Sequence, residues 1–107
     1  MSDREAAVRV YVKAYNTESG LFVAACDEDV LGLRLVDESR GINFYVDPSF
    51  FKGEVLDVDK AVKVLRKASM ANIVGNGIVG RAVSEGLVRE DTVLVVNGVK
   101  VAMFVTL

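Results

Sequence analysis

Gly75-Asn76-Gly77-Ile78-Val79-Gly80 spells G-x-G-x-x-G, the fingerprint of dinucleotide-binding proteins, and the residues that lead into it decide the fold. In a dinucleotide site a strand delivers the chain into the glycine turn, a helix follows, and an acid about twenty residues on holds the ribose. The approach here, Asp59 to Val74, has helical apolar spacing, with Val58, Ala61, Val62, Leu65 and Ala68 on one face. The first acids downstream, Glu90 and Asp91, precede a predicted strand instead of ending one. Both features set the nucleotide reading aside. A long helix is expected from Asp57 or Asp59 to about Val74, closed by Gly75-Asn76-Gly77. A second helix, Ile78 to Glu85, stops at Gly86.

Toward the N-terminus, Val8, Val10, Val12 and Ala14 alternate with Arg9, Tyr11, Lys13 and Tyr15, the period of a half-buried strand. Asn16-Thr17-Glu18-Ser19-Gly20 is a polar turn, and Leu21 to Cys26 returns as a second strand. Asp27 is placed to cap a short helix over Glu28 to Leu35. Ile42 to Val46 reads as a third strand, closed by Asp47-Pro48, with Phe50 and Phe51 in the loop beyond. Toward the C-terminus, Thr92 to Val96 and Val99 to Leu107 flank Asn97-Gly98, the pair that a type I′ turn favours. The order β-β-α-β-α-α-β-β predicts a single α+β domain over residues 1–107. About five mostly antiparallel strands would carry two helices on one face.

The 107 residues are 51% hydrophobic, enough for one core without metals or disulfides. A net charge of −2 does not drive the chain onto nucleic acid or a membrane. With a single cysteine and no histidine, the chain has neither a disulfide nor the common zinc ligand sets, and it lacks the usual neutral-pH base. No cofactor or metal is expected. The charged start and the absence of a membrane-length apolar run predict a cytoplasmic protein with no membrane partner.

Two groups of residues could carry function. Arg9, Tyr11, Lys13 and Tyr15 interleave charge and rings on one strand face, as single-stranded nucleic acid requires. The competing reading is a solvated face with cross-strand packing. Ser69 and Asn72 fall in the middle of the apolar face of the long helix, where an amide must find partners. Asn72 is expected to brace the Gly75 turn or the Asp27 loop. Otherwise it lines a ligand site with Ser69, Cys26, Asp27 and Gly75. Cys26 precedes Asp27, Glu28 and Asp29, acids that raise a thiol pKa, so a packed thiol is expected rather than a reactive one. The stripe of Lys60, Lys63 and Lys67 reads as a solvated helix face. Gly75-Asn76-Gly77 between helices suits a plain turn better than a phosphate-gripping helix-hairpin-helix, since Asn76 holds the place of an apolar residue.

Ala25-Cys26-Asp27-Glu28-Asp29-Val30-Leu31-Gly32, then Met70-Ala71-Asn72-Ile73-Val74-Gly75, Ala82-Val83, Gly86-Leu87-Val88 and the Gly98-Val99 hairpin, follow one another in a familiar order. In this the chain resembles the archaeal proteins of domain-of-unknown-function family 424. The resemblance implies a one-domain archaeal cytoplasmic protein with no established activity. Cys26, Asp27, Gly32, Asn72 and Gly75 match its pattern. The hairpin departs from it: Gly98-Val99-Lys100-Val101-Ala102-Met103 lacks the proline, histidine and glutamine that the family tends to show there. The expected function is a non-catalytic binding module for RNA or a protein partner. The alternative is a small-ligand protein or minor enzyme with its site near Asn72 and Cys26.

Overall fold

A computed structural model of the chain describes residues 8–106. Arg9–Thr17 (β1) and Gly20–Asp27 (β2) form the expected hairpin, with Val10 opposite Asp27 and Thr17 opposite Gly20. After a 3-10 turn, Arg34–Asp37 (β3) and Ile42–Tyr45 (β4) pair as a separate two-stranded sheet. Pro48–Phe51 is a short helix (α1), and Glu54–Asp57 (β5) adds to the outer edge of β1. Val58–Arg66 (α2), Met70–Val74 (β6) and Asn76–Ser84 (α3) follow, and Leu94–Val96 (β7) with Val99–Val105 (β8) closes the chain. The main sheet has six strands in the order β5-β1-β2-β6-β8-β7. Its pairs are antiparallel except β2 with β6, which run parallel.

Class and layering follow the sequence: an α+β fold with α2 and α3 on one face of the main sheet. Val58, Ala61, Val62 and Leu65 of α2 and Ile78, Val79 and Ala82 of α3 are buried there, against Val10, Val12, Val23, Ala25, Ala71 and Ile73. Each large member of that core contributes about 1.5–3 kcal/mol by burial. The Asp57 carboxylate caps α2 by accepting from the Lys60 amide. Asn97 and Gly98 both hold positive φ, 52° and 78°, in the predicted hairpin turn. Leu107, the predicted end of the last strand, lies outside the described residues.

Four expectations need correction. The long helix ends at Arg66, and Met70–Val74 is a strand. That strand lies between β2 and β8, with apolar residues on both faces, so its run carried no alternation to set it apart from a helix. Of the polar pair that sat awkwardly on the helical face, Asn72 lies within this strand and Ser69 in the bend just before it. Secondly, Glu28 to Leu35 is no helix: a 3-10 turn over Glu28–Val30 is broken at Gly32, whose φ is 86°. The Gly32 amide donates to the Val46 carbonyl and the Val46 amide to the Leu33 carbonyl, so the chain enters β3 instead. Thirdly, Phe50 and Phe51 are helical in α1, where Asp47 caps the turn at the Ser49 amide. Finally, the strands among the described residues number eight in two sheets rather than five. The small sheet and α1 cover part of the face opposite α2 and α3, around a second core of Cys26, Leu35, Val46, Phe51, Val74 and Val96.

Candidate functional site

Strand β6 runs into Gly75 and α3 begins at Asn76, so the strand–glycine turn–helix context of the G-x-G-x-x-G run exists after all. What fills it is the protein's own carboxylate. Asp27, at the end of β2, is 7% exposed. Its Oδ2 accepts from the Gly77 amide at 2.7 Å and its Oδ1 from the Ile78 amide at 2.9 Å. These are the free amides at the positive end of α3, where a phosphate would lie in a nucleotide site. Gly75 and Gly77 leave room for this carboxyl group. Gly75 has φ 119°, and a Cβ there would stand 2.4 Å from Asp27 Cγ. Asn76 is occupied too: it accepts from the Lys100 amide at 2.9 Å and donates to the Gly98 carbonyl at 3.1 Å, tying α3 to the last hairpin.

The surroundings repel a second anion. Glu28 and Asp29 border the same hollow, and Arg9 is spent on Glu28 at 3.3 Å. Burial raises the Asp27 pKa above its ordinary value, against the two amide hydrogen bonds that lower it. Beside it, burial pushes the Cys26 thiol up to about 12, helped by Asp27 and Asp29. Cys26 is fully buried, and its raised pKa favours the neutral thiol over the nucleophilic thiolate.

The other residues of interest share the sheet face opposite α2 and α3. Register aligns them in rows across the strands: Lys13, Ala24, Asn72 and Met103 in one, Tyr15, Phe22, Met70 and Val105 in the next. At the β1 end the face is covered. The Tyr15 hydroxyl donates to the Phe50 carbonyl at 2.8 Å, and its ring stacks on Phe50 at 5.7 Å and meets Phe22 at 5.8 Å. Lys13 donates to the Ser49 carbonyl at 2.9 Å, and Tyr11 packs on the second core. Of the four residues of this strand face, only Arg9 stays well exposed, and it is ion-paired.

At the β8 end the face is open. Met103 is 64% exposed, Val105 57%, Met70 41% and Leu94 38%. Within this strip, Asn72, Phe44, Leu94, Val101 and Met103 line a cleft of about 350 Å³ with no charged residue in its wall. Asn72 Oδ1 is buried, and no protein group among the described residues donates to it. The expected brace to the Gly75 turn or the Asp27 loop is not made.

A family model, described as a protein of unknown function (DUF424), matches residues 15–107. The chain belongs to the DUF424 family. A crystal structure of an uncharacterized conserved protein from Methanopyrus kandleri is similar to it at 28% identity, over 92% of each chain, with a TM-score of 0.77. No curated protein matches it.

In this DUF424 chain the residues proposed for one ligand site separate into three places. Asp27 and Gly75 meet at the start of α3. Asn72 and Cys26 share a sheet face, but Cys26 is sealed beneath the small sheet while Asn72 opens on the cleft. Ser69 lies past the far end of β6, in a separate hollow with Thr17, Leu21 and Thr106. The sequence reading missed Met103, Val105, Leu94 and Phe44. The alternation of Val101, Met103 and Val105 with Ala102 and Phe104 was its available signal. Among the described residues no cluster of three or more histidine, cysteine or acidic groups is placed to hold a metal, and no helix is long and apolar enough to cross a membrane.

Proposed function

We propose that this chain is a non-catalytic binding module whose partner is a protein that lays an uncharged apolar surface on the open strip between Met70 and Leu94. The observation that carries this reading is the continuity of four exposed large apolar residues around a buried acceptor, Asn72 Oδ1. Contiguous exposed apolar surface of this kind marks interaction sites. The uncharged cleft wall favours a neutral occupant over phosphate-bearing RNA, whose binding depends on cations that track the backbone. The rings of Tyr11 and Tyr15 pack inside the fold, which also favours a protein over a nucleic acid. Asp27 and Cys26, whose pKa values burial raises, are both packed within the fold, which supports binding rather than catalysis. Nothing draws Cys26 into a ligand site, so the small-ligand alternative reduces to the Asn72 cleft.

Photo-cross-linking in cell extract tests this, with benzophenone side chains at position 103 and, as control, at the solvated helix position 60. A single protein adduct at 103, absent at 60 and competed by wild-type chain but not by Met103→Asp, is the expected result. An RNA adduct would replace the protein partner by nucleic acid, an adduct of the chain with itself would replace it by a second copy, and no specific adduct would overturn the reading.

A further inference from the structure

We propose that Met70 and Met103 form an oxidation site for small hydroperoxides, and that their conversion to sulfoxides switches the docking strip off. The switch rests on the reading that the strip docks a protein; the oxidation site does not. The chain has three methionines and one cysteine, and Met1 lies outside the described residues. Met70 and Met103 are both exposed, and they occupy adjacent rows of the open sheet face, Met70 opposite Val105 and Met103 opposite Asn72. Their apolar neighbours on that face, Leu94, Val101 and Val105, are hydrocarbons with nothing to oxidise. In the reaction the thioether lone pair forms the S–O bond, the O–O bond breaks, and the other peroxide oxygen leaves as water or an alcohol. Each event consumes one hydroperoxide and oxidises one sulfur by two electrons. The competing sulfur is out of reach. Cys26 has no exposed surface, and its pKa, pushed up to about 12, disfavours the thiolate that a peroxide requires. Oxygen transfer is therefore directed to the two thioethers of the strip. A thioether packs on apolar surfaces, whereas a sulfoxide is polar and chiral. An uncharged apolar partner surface would bury that new acceptor without a donor, which weakens binding. Neither methionine belongs to either core, so oxidation changes the strip and leaves the fold in place. Reduction by a thiol-dependent sulfoxide reductase restores the thioether, with the oxygen released as water and the thiols oxidised to a disulfide.

The test treats the full chain with hydrogen peroxide at neutral pH and follows each sulfur by peptide mass spectrometry. Met70 and Met103 are expected to oxidise within about threefold of their rates in the urea-unfolded chain, with Cys26 unmodified until urea is added. A thermal melt of the oxidised chain confirms that it is folded. Oxidised wild type then serves as competitor in the cross-linking at position 103. It is expected to compete about tenfold less well than untreated wild type, and to recover after both methionine sulfoxide reductases, one for each epimer, have acted. The double variant Met70→Leu/Met103→Leu keeps the apolar volume and should compete equally well before and after peroxide. Slow native oxidation of both methionines, or earlier modification of Cys26, would overturn the oxidation site. Selective oxidation with unchanged competition, or the same loss in the double variant, would overturn the switch and leave the docking strip standing. If no adduct at position 103 is competed by untreated wild type, the docking reading falls and the switch with it, while the mass map alone decides the oxidation site.

Discussion

The carboxylate of Asp27 stands where a side chain on Gly75 would have to go: a Cβ at Gly75 would meet Asp27 Cγ at 2.4 Å. This contact couples the ends of the parallel strands β2 and β6 and supplies acceptors for the free amides of Gly77 and Ile78 at the start of α3. It explains the first two glycines of the fingerprint, Gly75 and Gly77, without a nucleotide. Gly75→Ala should therefore lower stability by about 3 kcal/mol or more, through the clash and the positive φ together. Gly80→Ala is the control. It lies within α3, where an added Cβ would meet nothing within 4 Å, so it should stabilise by up to about 1 kcal/mol. Urea unfolding of both variants checks the pair.

Asp27 gives the fold a pH signature. Burial raises its pKa above the ordinary 3.8, so the folded state holds its proton more tightly than the unfolded state does. Such a group contributes stability that is complete below 3.8 and is lost as pH climbs through the raised value. Asp27→Asn cannot accept from both amides and should cost about 1–3 kcal/mol. The margin of the wild type over this variant should be widest at acid pH and narrow toward neutrality. A margin that grows with pH would mean that the amides of Gly77 and Ile78 outweigh burial and hold the carboxylate ionised.

With its pKa pushed up to about 12 and no exposed surface, Cys26 should resist alkylation in the native protein at pH 8. Iodoacetamide labelling, read by mass spectrometry, should require unfolding, and its rate should track the unfolding equilibrium across a urea series. Rapid labelling without urea would contradict this placement.

Much of this architecture was legible because local signals agreed with global packing. Val10 and Val12 alternate with Tyr11 and Lys13, and Asn97-Gly98 marks its hairpin, since each pattern is decided by neighbours in sequence. Strand β6 was not legible: Ala71 and Ile73 face the helices while Asn72 and Val74 face the opposite side, so a strand with apolar residues on both faces imitates the continuation of α2. The Asp27–Gly75 contact depends on β2 and β6 becoming neighbours across a long crossover, which no local pattern reports. Part of the sheet-face site was visible, because Asn72 already stood out as a polar residue in an apolar run. Its companions Met103 and Val105 did not, since exposure of one strand face depends on where the small sheet stops.

Asn72→Leu should raise stability by about 1 kcal/mol, because it removes a buried acceptor that has no protein donor among the described residues. Thermal or urea unfolding checks it. A loss of about 1–3 kcal/mol would show that the amide is engaged inside the fold.

The measurement that bears most directly on the docking surface is the affinity of the purified cross-linked partner for wild type and for Met103→Asp, by isothermal titration calorimetry. Met103 is 64% exposed, so the charge should leave the unfolding free energy of the chain within about 0.5 kcal/mol. A residue central to the interface should nonetheless weaken binding about thirtyfold or more, equivalent to about 2 kcal/mol. Stability unchanged and affinity lost is the predicted result; affinity within about twofold of wild type, less than about 0.5 kcal/mol, would contradict it.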